Sequence, residues 1–441
     1  MDNKNEFLTR QPAKLFFSYL IPSVSATLVT SIYILADTMM IGKGVGAVGI
    51  AALNLMLPVF SVYIGTGILF GVGGSVLFSV SKGRGEDRKA QEYFTASVIL
   101  AALTSVFYMW LFTMFFDPIT LVLGRNPGTE EYVREYGRFL KMTPAVFLFS
   151  SFLQAFVRND SEPGRAMAGV IVGGVTNVFL DYLFIFRFQW GMGGAAFATV
   201  LGYGLTTSIL CTHFLSGRNT LALVKVQSLG HKCREVVCHG FSSFLLEESS
   251  GIILVIFNRQ LLHYVGELGA VVYGIISNSA LVVSSINNGI SQAAQPILAV
   301  NYGAGQKKRV ALAMRYASEA AVAGGIFFTI VGILFPRQIT GFFVEAGPEI
   351  MDMAVKAVRI YFLSFLPLGL NMLCTTYLQC VMLPNQAMII CLLRGFVFSG
   401  ILVLILPVIW GVTGIWAVMP VTEVLTLALS LAFQRKASGR T

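Results

Sequence analysis

The chain has 441 residues, of which 55% are hydrophobic and only 12% are charged. Soluble domains carry about 25% charged residues, so the composition excludes a soluble protein and indicates an integral membrane protein. Lysine and arginine outnumber aspartate and glutamate by 31 to 22. In a membrane protein such an excess is typical of basic cytoplasmic loops, and we expect no nucleic-acid partner.

Twelve apolar segments follow one another along the chain, and each is long enough to cross a bilayer as a helix. The first ten residues are polar and the first apolar run is too long for a signal peptide, so we expect no cleaved leader. The sequence predicts an all-α integral membrane protein with twelve transmembrane helices. The segments lie at roughly 14–41, 50–80, 92–116, 132–157, 165–186, 194–216, 236–258, 268–300, 312–335, 354–382, 387–410 and 412–434.

Basic residues predict the orientation of these helices. When the N-terminus is placed inside, the connections on that side carry roughly twice as many lysines and arginines as those on the other side. We therefore expect a multi-pass protein of the plasma membrane with both termini in the cytoplasm.

The sequence contains an internal repeat. The motif at Trp190–Gly194 returns at Trp410–Gly414, and Ser81–Gly85 corresponds to Asn301–Gly305, both at a shift of 220 residues. Half of the chain is about this long, which is typical of a duplicated transporter that binds its substrate between two halves and alternates access.

This repeat predicts two pseudo-symmetric six-helix lobes of parallel topology, joined by a polar and basic connection. The predicted domains are an N-lobe at 1–216 (helices 1–6), a cytoplasmic linker at 217–235 and a C-lobe at 236–441 (helices 7–12).

Four polar residues of the predicted N-lobe lie inside apolar segments. Asp181 interrupts the fifth segment, and Asn177 lies one helical turn before it on the same face. A carboxylate in the hydrocarbon region costs at least ~2.5–3.5 kcal/mol, which favours a functional role. At 1.5 Å per residue, Asp37, Asp181 and Thr199 all lie about 8–9 Å below the outer surface.

Two carboxylates, an amide oxygen and a hydroxyl are ligands that a hard cation prefers. Two neighbouring carboxylates in a low dielectric do not both stay ionised without a counter-ion, so the same site could take a proton. The alternative is a structural pairing of these acids with Lys43 and Arg187 near the outer interface. A shift of 220 residues brings Asp181 onto Ile401, and the absence of an acid there favours an ion site in one half.

The chain also resembles a known family. It is similar to the multidrug and toxic compound extrusion (MATE) family, on the side of its bacterial DNA-damage-inducible-F and related drug-efflux branches. The similarity covers nearly the whole length and includes Ala36–Gly42 (ADTMMIG), Gln295-Pro296 and Asn301–Gly305 (NYGAG).

The resemblance implies a transporter without enzymatic activity that exports drugs while Na⁺ or H⁺ enters, with no cofactor besides that coupling ion. It also implies an N-lobe cation site. The matching positions here are Asp37, Asn177, Asp181 and Thr199.

Glu247 and Glu248 lie in the seventh apolar segment, near the middle of the membrane. Consecutive helical residues point about 100° apart, so we expect only one of them to face a cavity. The resemblance places the family's helix 7 acid at Glu247, where it would be a counter-charge for a cationic substrate or a second proton site. The alternative is a structural hydrogen bond to a neighbouring helix.

The sequence thus predicts a secondary active multidrug efflux antiporter for amphipathic, often cationic organic compounds, working as a monomer in the bilayer. One alternative is a flippase for lipid-linked precursors, but several cavity arginines or lysines would then be expected, and Arg394 is the chief basic residue within a segment. Another is a receptor or passive channel, for which solute flux would not depend on an ion gradient.

Overall fold

The computed structural model describes residues 6–343 and 347–438, and every regular element in this part of the chain is a helix. Helices suit such apolar segments because all backbone hydrogen bonds are made within the segment, where lipid offers none. The first half contains α1 (Glu6–Thr9), α2 (Pro12–Gly44), α3 (Ala47–Gly83), α4 (Asp87–Met114), α5 (Phe116–Val122), α6 (Glu130–Leu140), α7 (Pro144–Asn159), α8 (Pro163–Asp181) and α9 (Gly191–Cys211). The second half contains α10 (Leu229–Tyr264), α11 (Glu267–Gly303), α12 (Lys307–Leu334), α13 (Pro336–Phe343), α14 (Pro348–Tyr361), α15 (Phe365–Cys380), α16 (Pro384–Leu392), α17 (Ser399–Trp410) and α18 (Val412–Ser438).

Twelve membrane spans can be recognised among these helices by length and composition. Eleven are continuous, and the pair α6 and α7 forms a twelfth that is bent by 56°. The bend falls where Pro144 begins α7, since proline has no N–H to continue the hydrogen bonding of α6. The predicted all-α fold with twelve transmembrane helices is thereby confirmed.

Two spans contain a π-helical turn. One covers Tyr182–Arg187 and directly follows α8. The other covers Leu393–Phe398 and joins α16 to α17. Such turns re-aim the side chains around them and are frequent at functional sites.

The chain forms two compact units. Unit 1 comprises Glu6 and Ser25–Phe244, and unit 2 comprises Phe7–Val24 and the described residues from Leu245 onward. Helix α2 therefore passes from unit 2 into unit 1, and α10 passes from unit 1 into unit 2. The units group residues by contact, whereas the sequence divides by repeat, so the lobe boundaries at 216 and 236 stay a prediction.

An apolar and aromatic core holds unit 1 together. Tyr63 of α3 packs edge-on against Phe112 of α4 with 5.4 Å between ring centroids, and Phe147 of α7 contacts Tyr203 of α9 at 5.0 Å. Such pairs add about 0.5–1.5 kcal/mol each beyond the area that they bury. Four helices are thus fixed around the places where α6 and α9 present polar groups.

The turn between α7 and α8 holds the chain segment that leaves α9. The fully buried His213 lies 2.8 Å from the Asp160 carboxylate, and the Ser216 hydroxyl donates to Glu162 at 2.9 Å. Burial alone would raise the pKa of Glu162, but the Ser216 hydroxyl and the Arg165 guanidinium together hold that pKa below its usual value. The start of the segment predicted as a linker is therefore anchored to unit 1.

Candidate cation site

Asp181 and Asn177 are both buried on one face of α8. Asp181 is the last residue of α8 and has no exposed surface, and Asn177 is 3% exposed. The π-helical turn begins directly after Asp181. Because a carboxylate without exposed surface needs compensation, the environment of Asp181 decides what this position can do.

The Asp37 side chain of α2 faces Asp181. The two carboxyl groups approach each other closely enough to interact directly, although Asp37 is only half-buried. Both Asp181 oxygens and Oδ1 of Asp37 are buried without a hydrogen-bond partner in the described part of the chain. Unpaired buried acceptors of this kind call for a proton or a cation.

No basic side chain among residues 6–343 and 347–438 forms an ion pair with either carboxylate. Lys43 and Arg187, the partners of the structural alternative, are both exposed and form no ion pair within those ranges. The geometry therefore favours a site for an external cation over a structural salt bridge.

A close contact between α8 and α9 fixes the position of Asn177. A Cβ atom on Gly202 would lie 2.8 Å from Asn177 Cβ and 2.9 Å from the Gly173 carbonyl oxygen. Only glycine at both positions lets the two backbones approach this closely. Nδ2 of Asn177 is also buried without a partner within the described residues, so this amide has hydrogen-bonding capacity to spare.

Thr199 lies on α9 and is 7% exposed. Its hydroxyl donates to the Ala195 carbonyl at 3.0 Å, which leaves the oxygen lone pairs free to accept. The hydroxyl of Tyr136, on α6, interacts with Thr199 and lies near both Asp37 and Asp181. Tyr136 thus links Thr199 to the two carboxyl groups.

Sequence reasoning missed Tyr136. It lies in the polar stretch Glu130–Leu140, where an aromatic residue gives no signal of an ion site. The signal that could have found it is the amphipathic spacing of Val133, Tyr136 and Leu140, which are the buried residues of α6 together with Gly137.

Glu247 and Glu248 lie on α10, in the part that belongs to unit 2. Glu247 is exposed and Glu248 is half-buried, in agreement with their different directions on the helix. These acids are therefore separate from the four-residue set of unit 1.

The MatE family model matches residues 22–183 and 241–405 of this chain. The chain belongs to the MatE family. The family resemblance seen in the sequence is thereby confirmed, and the chain is a multi-pass membrane transporter rather than an enzyme.

Relatives in the family are full-length matches. The chain is 24% identical over 438 residues to the multidrug export protein MepA of Staphylococcus aureus (strain MSSA476), covering 98% of this chain and 95% of MepA. It is 25% identical over 418 residues to MepA of Staphylococcus saprophyticus, with 94% and 91% covered.

Solved structures share the fold. A multidrug resistance MATE family transporter in an outward-facing conformation has a TM-score of 0.93 and 21% identity, with 100% of both chains covered. A MOP superfamily transporter from Pyrococcus furiosus, described by the reverse polarity of its binding pocket, has a TM-score of 0.90 and 21% identity, with 100% of this chain and 98% of that chain covered. These likenesses establish the twelve-helix MATE fold.

Proposed function

We propose that this MatE family transporter exports amphipathic, often cationic organic compounds across the plasma membrane in exchange for Na⁺ or H⁺. The observation that carries the proposal is the pair of facing carboxyl groups, Asp37 and Asp181, which have no basic partner in the described residues. Full-length similarity to multidrug export proteins supports the substrate class. We expect the monomer to be sufficient, without a cofactor or nucleic acid.

Cation binding would act first on α2. With a cation or proton between Asp37 and Asp181, the repulsion of the two carboxylates is removed and α2 is drawn to α8. Helix α2 continues without a break into unit 2, so a change at Asp37 is transmitted along one rigid element. An ion gradient can drive alternating access only if the ion binds one conformation better than the other, and this contact supplies such a difference.

Asn177, Thr199 and Tyr136 would complete the coordination of a Na⁺ ion. Their oxygens lie on three helices around the two carboxyl groups, which suits an oxygen-rich site for a hard cation. A proton would need only the carboxyl pair. The choice between the two ions therefore depends on whether the amide and hydroxyl oxygens contribute to affinity.

Ethidium efflux from proteoliposomes, with Na⁺ or H⁺ gradients imposed separately, tests the proposal. We expect wild-type efflux to follow one of the gradients and Asp181→Asn to fall to the rate of protein-free liposomes, since one carboxylate of the pair is lost. The matched control is Asp352→Asn, an exposed aspartate of α14, which should retain wild-type efflux. Gradient-driven efflux by Asp181→Asn would contradict the proposal.

Glu247 is proposed as a counter-charge for cationic substrates, since it is exposed within a membrane span. In the same assay, Glu247→Gln should weaken the efflux of ethidium more than that of a neutral substrate. Equal effects on both would instead support the structural alternative.

The flippase alternative is tested by complementation. A flippase needs uncompensated basic groups for a pyrophosphate, whereas the charge of Arg394 is neutralised by Glu423 inside unit 2. Rescue of a strain that lacks export of envelope precursors would favour the flippase over drug export.

A further inference from the structure

Unit 2 contains a buried charge network that the cation site does not use. Arg394 donates from Nε and Nη2 to a single oxygen of Glu423, Oε1, at 2.8 and 2.7 Å. Asn371 donates from Nδ2 to the other oxygen, Oε2, at 2.7 Å and to the Glu423 main-chain oxygen at 2.9 Å. Glu423 has no exposed surface, and both of its carboxylate oxygens are occupied.

The network lies deep within the membrane-spanning region and joins three spans. Glu423 is about 16 Å along α18 from Val412 at 1.5 Å per residue. Arg394 is in the π-helical turn Leu393–Phe398, and Asn371 is on α15. Charged groups at such a depth are costly and mark function by default.

The duplicated scaffold packs without this pair. A shift of 221 residues superimposes Pro163 on Pro384 and brings Arg394 onto Gly173 and Glu423 onto Gly202. In unit 1 these two glycines touch directly and no charge is needed between α8 and α9. Packing of the repeat therefore does not explain why unit 2 has an arginine and a glutamate at the same two positions.

The two units differ in how their buried carboxylates are compensated. In the described part of unit 1, Asp37 and Asp181 have no basic side chain within ion-pair distance. In unit 2, Glu423 has one, and a guanidinium does not lose its proton in a protein. The charge beside Glu423 is therefore fixed, whereas the charge beside Asp181 has to come from outside the chain.

We propose that Arg394 is a tethered counter-ion that permanently occupies the place of a small monovalent cation beside Glu423. Unit 2 then exchanges no ion during the transport cycle, and ion coupling is confined to unit 1. This inference rests on the proposed ion-coupled function for its consequence in transport, but not for the binding site itself.

Removal of the Arg394 side chain should convert this place into an open cation site. Glu423 would keep the Asn371 amide as its neighbour, and Oδ1 of Asn371 is buried without a partner among the described residues. A fully buried carboxylate left in this way takes up a cation or a proton rather than remaining uncompensated.

The first test measures binding without transport. Purified full-length Arg394→Ala is titrated with guanidinium chloride at millimolar, non-denaturing concentration while its melting temperature is recorded. We expect a lowered melting temperature that rises saturably with guanidinium, and no such rise in the wild type or in Arg394→Ala/Glu423→Gln. A missing rise in Arg394→Ala, or an equal rise in the double variant, would overturn the proposal.

The second test uses Arg394→Met/Glu423→Gln, which leaves no buried charge and is expected to fold even if Arg394→Ala does not accumulate. In proteoliposomes its ratio of coupling ions to ethidium should equal that of the wild type, because the pair exchanges no ion. A lower ratio in the double variant would show that Glu423 takes part in coupling and would refute the tethered role. If the wild type shows no ion coupling, the proposed function fails, while the guanidinium titration still decides the fate of the tethered counter-ion.

Discussion

Tyr136 contributes a phenol hydroxyl beside the two carboxyl groups of unit 1. It is 4% exposed and contacts Thr199, so it connects α6 with α9 at the level of the candidate site. At this scale the chemistry depends on single oxygen atoms, because each buried oxygen either accepts a hydrogen bond or is left to bind an ion.

Tyr136→Phe removes this hydroxyl and keeps the ring. One hydrogen bond is worth about 0.5–1.5 kcal/mol, so the ion concentration for half-maximal efflux should rise by roughly two- to tenfold. Proteoliposome efflux at increasing ion concentration measures this shift. Tyr132→Phe, on the same helix, is the control and should leave the concentration unchanged; an equal shift in both variants would remove Tyr136 from the site.

The contact between α8 and α9 shows how an element places a site. Gly173 and Gly202 let the two helices approach until Asn177 packs against the backbone of α9. Side chains on both helices are then held at one level without a loop. The same two positions in the repeat of unit 2 instead hold the Arg394–Glu423 pair.

Gly202→Ala should push α8 and α9 apart, since its Cβ meets a backbone oxygen at 2.9 Å and Asn177 Cβ at 2.8 Å. Overpacking of this kind costs about 1–3 kcal/mol, so we expect a lower melting temperature and weaker ion-driven efflux. Gly204→Ala is the control on the same helix, because its Cβ meets nothing closer than 3.9 Å. Equal melting temperatures for the two variants would show that the close contact does not hold the helices.

On the scale of the whole molecule, α2 and α10 are the elements shared by both units. Each crosses from one unit to the other within a continuous helix, near Val24 and Phe244 respectively. Helix α2 also carries Asp37, so the candidate site and a connection between the units are parts of one element.

The orientation of this molecule is predicted by the distribution of lysine and arginine. Green fluorescent protein fused after Thr441 should fluoresce, because it folds in the cytoplasm and not after export. Alkaline phosphatase at the same position, which needs the outer compartment, is the converse control. A dark fluorescent-protein fusion together with an active phosphatase would place the C-terminus outside.

The sequence by itself determined the twelve spans, because a bilayer demands about twenty apolar residues for each crossing and the chain supplies them. It also selected Asp37, Asn177, Asp181 and Thr199, since buried polar groups are conspicuous in apolar segments. Only the tertiary structure could bring Asp37 and Asp181 face to face, add Tyr136 and pair Arg394 with Glu423. These contacts join residues far apart in the chain, and hydropathy and spacing report the depth of a residue in its helix but not which helix lies beside it.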